Sequence, residues 1–128
     1  MHMRTGISLK VSIRLYCGDQ IAMGPGKADL LAAIKVHGSI SAAGRAMGMS
    51  YRRAWLLVDT MNRCWQEPLV ATVPGSAHGG GARLTAFGED ILLHYRGLQT
   101  DLDAAASGAN RAALDEALRQ EPKVSQKD

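Results

Sequence analysis

The sequence predicts a mainly α-helical domain that carries a small amount of β structure. Residues 7–17 alternate apolar and polar side chains, which is the period of a half-buried β-strand. Residues 27–37, 50–65 and 86–106 place apolar side chains three or four positions apart, as in helices with one buried face. Residues 74–82, "PGSAHGGGA", contain four glycines and suit neither a helix nor a packed strand, which indicates a long loop.

The N-terminal segment predicts a β-hairpin over residues 7–23, in which "GD" at 18–19 forms the turn and "QIAMG" returns. "GPG" at 24–26 then breaks the chain, and the first helix follows over residues 27–37. Gly38 comes directly after this helix and is expected to end it in a left-handed conformation.

Residues 39–61, "SISAAGRAMGMSYRRAWLLVDTM", predict two helices joined by a tight turn, which together make a helix-turn-helix. The first of these helices spans residues 41–48, and either Ser39 or Ser41 caps its N-terminus. The second spans residues 50–65, where apolar positions recur at helical spacing.

Small residues support this assignment at the points where the two helices approach each other. Ala43 places only a methyl group at the expected crossing, and Gly44 beside it also allows close contact. Gly48 provides the flexible residue that the turn needs. Ser50 is expected to cap the second helix through its hydroxyl group.

The remaining elements complete a winged helix-turn-helix with an N-terminal β-hairpin and a long C-terminal helix. Residues 69–84 form two short strands around the glycine-rich loop and therefore predict the wing. Thr85 caps the long helix over residues 86–106. We predict one domain over residues 1–106, followed by a short helical extension and a polar tail over residues 107–128.

The outer face of the second helix of the motif indicates contact with nucleic acid. At about 100° per residue, Arg52 lies opposite the apolar line of this helix and Arg53 lies on a flank. In such a motif the second helix enters the major groove of duplex DNA. Arg52 is then placed to bind guanine, because its planar guanidinium group matches the O6 and N7 acceptors. Arg53 is placed to bind a phosphate. The alternative is that both arginines belong to a solvated face of an ordinary helix.

Further side chains extend this predicted surface. Leu56 lies on the same outer face and either contacts a thymine methyl group or packs on a neighbouring protein. In the wing, Arg83 or His78 is placed to enter a minor groove. Trp55 and Trp65 are expected to pack in the core or against the wing, because a winged helix binds duplex DNA rather than unpaired bases.

Two apolar surfaces predict a two-fold dimer. The apolar stripe of the long helix is longer than a domain of three short helices covers, so its C-terminal half needs either residues 109–119 or a second chain as a partner. The alternating strand over residues 7–17 has the same need. The residues expected at the dimer interface are Ile7, Leu9, Val11, Ile91, Tyr95, Leu98 and Leu102.

Composition narrows the class of partner. The formal net charge is +3, and residues 1–99 carry 11 Lys/Arg against 6 Asp/Glu, so a surface for a polyanion is expected there. Cys17 and Cys64 are too few for a disulfide framework, which favours a cytoplasmic setting. The sequence contains no run of about 18 apolar residues, so no membrane-spanning helix is expected. No zinc-ligand spacing, nucleophile motif or phosphate-binding loop is present, so neither a cofactor nor an enzymatic activity is expected.

Three segments are distinctive: "GSISAAGRAMGMSYRRAW" with "MN" at 61–62, "EPLV", and "GGGARLTAFGEDIL". Together they resemble the N-terminal domain of the molybdate-responsive, ModE-type transcriptional regulators, over about residues 7–100. The resemblance implies a dimeric winged helix that binds duplex DNA through residues 50–63 and 75–83. The DNA-binding residues expected on this basis are Ser50, Tyr51, Arg52, Arg53, Leu56, Asp59, Arg63, His78, Gly79, Gly80, Gly81 and Arg83.

The resemblance also implies that the N-terminal strand and the last long helix contribute to dimer contacts. The full regulators carry C-terminal modules that bind molybdate, whereas this chain ends at residue 128, so molybdate binding is not expected in it. Residues 39–61 alone also resemble the N-terminal domain of LysR-type regulators.

A second function stays open, namely a winged-helix module for protein interaction or ligand sensing that does not itself bind DNA. Leu56 and Asp59 favour it. An acidic residue on a helix that faces the groove repels phosphates, although it also accepts a hydrogen bond from cytosine N4.

Overall fold

The computed structural model describes residues 6–74 and 80–127. Within these residues it contains two antiparallel β-hairpins and five helices. The elements in chain order are β1 (Leu15–Cys17), β2 (Gln20–Met23), α1 (Pro25–His37), α2 (Ile40–Ala46), α3 (Tyr51–Cys64), β3 (Val70–Val73), β4 (Gly81–Leu84), α4 (Ala86–Ala105) and α5 (Ala109–Ala117). Three helices followed by the β3–β4 hairpin confirm the predicted winged helix-turn-helix.

The prediction of a strand over residues 7–17 is wrong for most of that length, because only the last three residues pair with β2. A strand needs a hydrogen-bonded neighbour. Side chains of α4 bind the preceding backbone instead: Gln99 Nε2 donates to Val11 O at 3.2 Å, and Tyr95 Oη donates to Ile13 O at 2.8 Å. Three of the alternating apolar side chains, Ile7, Val11 and Ile13, are therefore half-buried although their backbone forms no sheet.

Helix α1 begins at Pro25, two residues before its predicted start at residue 27. Proline suits the first turn of a helix, because its missing N–H is not needed there and its φ is already helical. The predicted end at Gly38 is confirmed: its φ is 76°, and its N–H donates to Ile34 O at 2.8 Å.

Helix α2 begins one residue earlier and ends two residues earlier than predicted. Of the two candidate caps, Ser39 is the one that acts, because its Oγ accepts a hydrogen bond from Ala42 N at 3.0 Å. Gly48 lies in the turn before α3 with a φ of 70°, a conformation that glycine adopts without strain.

The crossing of α2 and α3 depends on small residues. A Cβ atom added to Gly44 would lie 3.1 Å from Ala54 Cβ, which is tighter than ordinary contact. Ala43, which was predicted at this crossing, is fully buried beside it. The buried face of α3 consists of Ala54, Val58 and Met61, as predicted.

The wing packs directly on the helices. Strands β3 and β4 pair in antiparallel register, with Val73 opposite Gly81 at the loop end of the hairpin. Ala82 N donates to Gly38 O at 2.8 Å and so attaches β4 to the end of α1.

Helix α4 begins where the wing ends. Thr85 caps it as predicted, because its Oγ1 accepts a hydrogen bond from Gly88 N at 2.9 Å. The N–H of Thr85 also donates to Leu69 O at 2.9 Å, which ties the start of α4 to the start of β3. Leu92, which lay outside the predicted apolar stripe, is buried together with Tyr95.

The hydrophobic core lies between helices α1 to α4, β2 and the base of the wing. Helix α5 adds no buried residue to it. The first described residue lies next to the segment after α5, since Gly6 N donates to Gln120 O at 3.1 Å. The largest fully buried side chains of the core are Met23, Leu30, Leu31, Ile34, Met61 and Leu69.

Candidate nucleic-acid interface

The first turn of α3 presents two adjacent arginines to solvent. Ser50 fixes this turn, because its Oγ accepts a hydrogen bond from Arg53 N at 3.1 Å. Arg52 and Arg53 are both exposed and lie about 100° apart around the helix. No carboxylate of the described residues lies within ion-pair distance of either guanidinium group. Since the N-terminus of a helix already disfavours cations, this arrangement favours an anionic partner.

Further along the same face, Asp59 and Arg63 form an ion pair. Arg63 Nε lies 2.9 Å from Asp59 Oδ2, and the two positions are one helical turn apart. The positive charge of Arg63 therefore compensates the negative charge of Asp59, which would otherwise repel DNA phosphates. Because an exposed pair of this kind contributes only about 0.3–0.5 kcal/mol, Arg63 can exchange Asp59 for a phosphate at little cost.

Three large apolar or aromatic side chains are exposed on α3: Tyr51 at 56%, Trp55 at 45% and Leu56 at 45%. The prediction that Trp55 packs in the core or against the wing is therefore wrong for the core, because nearly half of its surface is open. Trp65 is half-buried as predicted, and its Nε1 donates to Ala22 O at 3.0 Å. The exposed aromatic surface of α3 is thus part of the candidate interface.

Asn62 fixes the wing relative to α3, a role that its sequence position did not indicate. Its Oδ1 accepts hydrogen bonds from Leu69 N at 2.8 Å and from Val70 N at 3.1 Å. Its Nδ2 donates to Val70 O at 3.0 Å. An asparagine in the last turn of a helix is not a distinctive pattern. The only signal for Asn62 was that "MN" at 61–62 is part of the family resemblance.

A cleft of about 660 Å³ separates the start of α2 and the start of α3 from the wing. Arg45 stands on one side of it, with its Nη1 donating to Ser41 Oγ at 2.8 Å. The cleft thus brings the helix-turn-helix and the wing to a single concave surface. Its lining residues are Gly38, Ser39, Ile40, Ser41, Arg45, Tyr51, Thr72, Val73, Pro74, Gly80, Gly81 and Ala82.

The predicted wing residues have different positions. Arg83 is exposed on β4 opposite Ala71, and Gly80 is exposed just before the strand begins. A Cβ atom on Gly81 would lie 3.3 Å from Gly38 O, so glycine permits the close approach of the wing to α1. His78 and Gly79, also predicted to contact DNA, lie outside the described residues.

The residues predicted at a dimer interface differ in how far their side chains are exposed. Leu9, Leu98 and Leu102 are each 39% exposed, whereas Ile7, Val11 and Ile91 are half-buried. Tyr95 is only 3% exposed, and its hydroxyl binds the N-terminal segment, so its side chain stabilises the fold of its own chain.

The two cysteines are neighbours in the structure, which their sequence spacing did not indicate. Burial raises the pKa of the Cys64 thiol, and the adjacent Cys17 raises it further through its charge and a hydrogen bond. Cys17 is exposed and Cys64 is half-buried at the end of α3. In the described part of the chain, no three His, Cys, Asp or Glu side chains are arranged to hold a metal ion.

Comparison with known proteins assigns this domain to a family. The chain is 43% identical over 76 residues to the molybdenum transport protein ModE of Azotobacter vinelandii, a match that covers 59% of this chain and 28% of that protein. It is 33% identical over 89 residues to the DNA-binding transcriptional dual regulator ModE of Escherichia coli (strain K12), covering 70% and 32%. The domain is of the ModE type.

The ModE-type domain also matches the molybdenum-pterin-binding protein MopB of Rhodobacter capsulatus, with 46% identity over 77 residues that cover 60% of this chain and 28% of that protein. The chain therefore spans less than a third of the length of each of these three relatives. No protein-family model matches it.

A solved structure supports the same fold. A MarR family protein from Bacillus stearothermophilus superposes with a TM-score of 0.50 and 23% identity, covering 74% of this chain and 69% of that one. At that identity the likeness supports the winged-helix fold of the ModE-type domain alone. None of the helices in the described residues has the length and apolar character needed to cross a membrane.

Proposed function

We propose that the chain is a cytoplasmic transcriptional regulator that binds duplex DNA in a sequence-specific manner as a homodimer, without catalysing a reaction. The observation that carries this proposal is the pair Arg52 and Arg53 on the exposed first turn of α3, next to a cleft that the wing closes on the other side. A helix in the major groove presents its N-terminal residues to base edges. Arg52 then binds guanine and Arg53 binds a phosphate.

The relatives support this proposal, because one of them is named as a DNA-binding transcriptional regulator and two carry molybdenum transport or molybdenum-pterin binding in their names. We propose that the genes controlled by this chain belong to molybdenum uptake or use. The matched region covers less than a third of those relatives, so molybdate binding is not carried over from them to this chain.

The proposed dimer is supported by the exposed leucines of α4. Leu98 and Leu102 are one helical turn apart on the same side, and each is 39% exposed. A second copy of the chain would cover them, and a two-fold dimer would present two α3 helices to the half-sites of a pseudo-palindromic duplex.

The test is selection of genomic fragments by the wild-type chain, followed by fluorescence anisotropy on the selected duplex and on a scrambled duplex. Arg52→Ala should lower the affinity ratio of the two duplexes by about 5- to 150-fold, because a bidentate contact to guanine contributes about 1–3 kcal/mol of discrimination. Arg53→Ala should weaken both complexes equally and reduce the salt slope by about one. Arg119→Ala, in the exposed tail, is the matched control and should change neither quantity.

Molybdate provides a second arm of this experiment. The fragments selected and their affinities should be the same with and without molybdate. If the wild-type chain retains no genomic fragment at about 0.1 M salt, the proposed function is refuted.

One observation favours a different function. Trp55 and Leu56 are exposed on the face that should enter the groove, and large exposed apolar side chains are typical of protein-binding surfaces. A protein-interaction or ligand-sensing module would show the opposite result in the same assay, namely no complex with duplex DNA.

A further inference from the structure

A second basic surface lies beside the first turn of α3, on the flank away from the wing. A cavity of about 220 Å³ opens there between β2, the start of α1 and α3. Arg14, Lys27 and Arg53 line it together, and no carboxylate lines it. Within the described ranges, none of these three side chains has an acidic partner within ion-pair distance.

The packing of the cavity holds its basic groups in place. A Cβ atom added to Gly24 would lie 3.5 Å from Arg14 Cγ, so the stem of this arginine lies over the start of α1. Above Gly26 the space is open, since a Cβ atom there would meet nothing within 4 Å. Desolvation by burial lowers the pKa of Lys27, and the charge of Arg53 lowers it further against an opposing effect of Cys64. Lys27 and Arg53 are therefore close enough to repel each other.

The start of α1 adds to the positive potential. Gly24 caps this helix without a side-chain hydrogen bond, and the first turn contains no acidic residue. Ala28 N donates to Gly24 O at 2.9 Å, which leaves the amide groups of Gly26 and Lys27 as donors at the mouth of the cavity. Three cations and two amide donors around one opening suit a phosphate group.

The location of the cavity relates it to the proposed groove contact. Arg53 and Asn62 are nine positions apart, which at about 100° per residue places them on opposite sides of α3. Asn62 binds the wing, so the cavity and the wing lie on the two flanks of the same helix. A helix about 10–12 Å across fills a major groove about 12 Å wide, and both DNA backbones then lie close to its flanks.

We propose that Arg14, Lys27 and Arg53 bind a backbone phosphate of duplex DNA on the side of α3 opposite the wing, an inference that rests on the proposed function. Arg14 and Lys27 belong to segments outside the helix-turn-helix, so the N-terminal hairpin and α1 become part of the DNA-binding surface. The contact positions the domain on the duplex without reading sequence.

The experiment is a salt titration of DNA binding by the full chain, with the variants Lys27→Gln, Arg14→Gln and Lys27→Arg. Because the three cations share one phosphate, Lys27→Gln and Arg14→Gln should each reduce the slope of log K against log salt by up to about one. At 0.1 M salt a reduction of one corresponds to binding that is roughly eightfold weaker, on selected and scrambled duplexes alike. Lys27→Arg keeps the charge and should keep the wild-type slope. Arg119→Gln is the control for loss of one exposed cation.

Two outcomes overturn the proposal. If the wild-type chain binds its duplex and Lys27→Gln leaves the slope unchanged, the cavity does not bind DNA while the proposed function stands. If the wild-type chain binds no duplex, both proposals fail. Circular dichroism melting shows that each variant is folded, so that a lost contact is not confused with a lost fold.

Inorganic phosphate distinguishes a free anion from the DNA backbone. The amide signals of Gly26 and Lys27 are followed by NMR while phosphate is added to the wild-type chain. Saturable shifts at low millimolar phosphate, together with an unchanged salt slope for Lys27→Gln, would assign the cavity to a free oxyanion and overturn the proposal. Shifts that appear with the duplex and are lost in Lys27→Gln support it.

Discussion

Replacing Gly88 by alanine tests how the long helix is joined to the wing. Gly88 lies in the first turn of α4, and a Cβ atom there would overlap the carbonyl oxygen of Leu69 and lie 2.9 Å from its carbonyl carbon. The obstacle is backbone, which cannot rotate away as a side chain does. Leu69 O also accepts the hydrogen bond from Thr85 N, so the added methyl group displaces that bond as well.

The expected cost follows from these contacts. Overpacking costs about 1–3 kcal/mol, and a lost hydrogen bond costs about 1 kcal/mol. The better helix propensity of alanine offsets about 1 kcal/mol of this. Gly88→Ala should therefore lower the free energy of unfolding by about 2 kcal/mol, which for a chain of this size corresponds to a Tm lower by roughly 8 °C.

The same helix contains a matched control. Gly97 is helical too, but a Cβ atom on it would meet nothing within 4 Å. Gly97→Ala should raise the free energy of unfolding by about 0.5–1 kcal/mol, because only the backbone entropy term remains. Urea unfolding and thermal melting of both variants measure the two effects. If Gly88→Ala is as stable as Gly97→Ala, the start of α4 does not pack closely on the backbone of Leu69.

Three further predictions concern other contacts. Asn62→Ala should lower the free energy of unfolding in urea by about 2–3 kcal/mol, because it removes three hydrogen bonds and leaves buried backbone groups unpaired. Replacing both Leu98 and Leu102 by aspartate should shift the proposed dimer to monomer in analytical ultracentrifugation, whereas an unchanged sedimentation coefficient would contradict an interface on α4. Since burial raises the pKa of the Cys64 thiol, iodoacetamide should modify the exposed Cys17 first at pH 8, as mass spectrometry of digested peptides will show.

The residues that cap helices were predicted well from the sequence, because a cap acts on amide or carbonyl groups only a few positions away. Ser50 and Thr85 cap the helices that they were expected to cap, and each accepts its bond from an amide three residues further on. Gly38 adopts the left-handed conformation expected of a helix stop. The start of α1 at Pro25 was missed, because "GPG" suits a break and a first helical turn equally well.

The errors arose where a residue's partner lies far away in the sequence. The alternation over residues 7–17 is the same for a strand and for an extended segment, and the choice depends on α4, more than 80 positions away. Asn62 shows no distinctive pattern until the backbone of β3 is placed beside it. Arg14 and Lys27 likewise join Arg53 only in the folded chain, so the cavity that they line could not be read from spacing.

The backbone of Leu69 connects the candidate DNA-binding surface to the candidate dimer surface. Its N–H donates to Asn62 Oδ1 on α3, and its carbonyl oxygen accepts from Thr85 N at the start of α4. One fully buried residue therefore fixes the offset between the two helices. In the proposed dimer, α4 carries the contacts between the two chains, so this offset sets the distance between the two α3 helices. That distance must match about one helical turn of DNA, roughly 34 Å, for both half-sites to be bound. A shift of α4 on Leu69 would then weaken operator binding even where every DNA contact is intact.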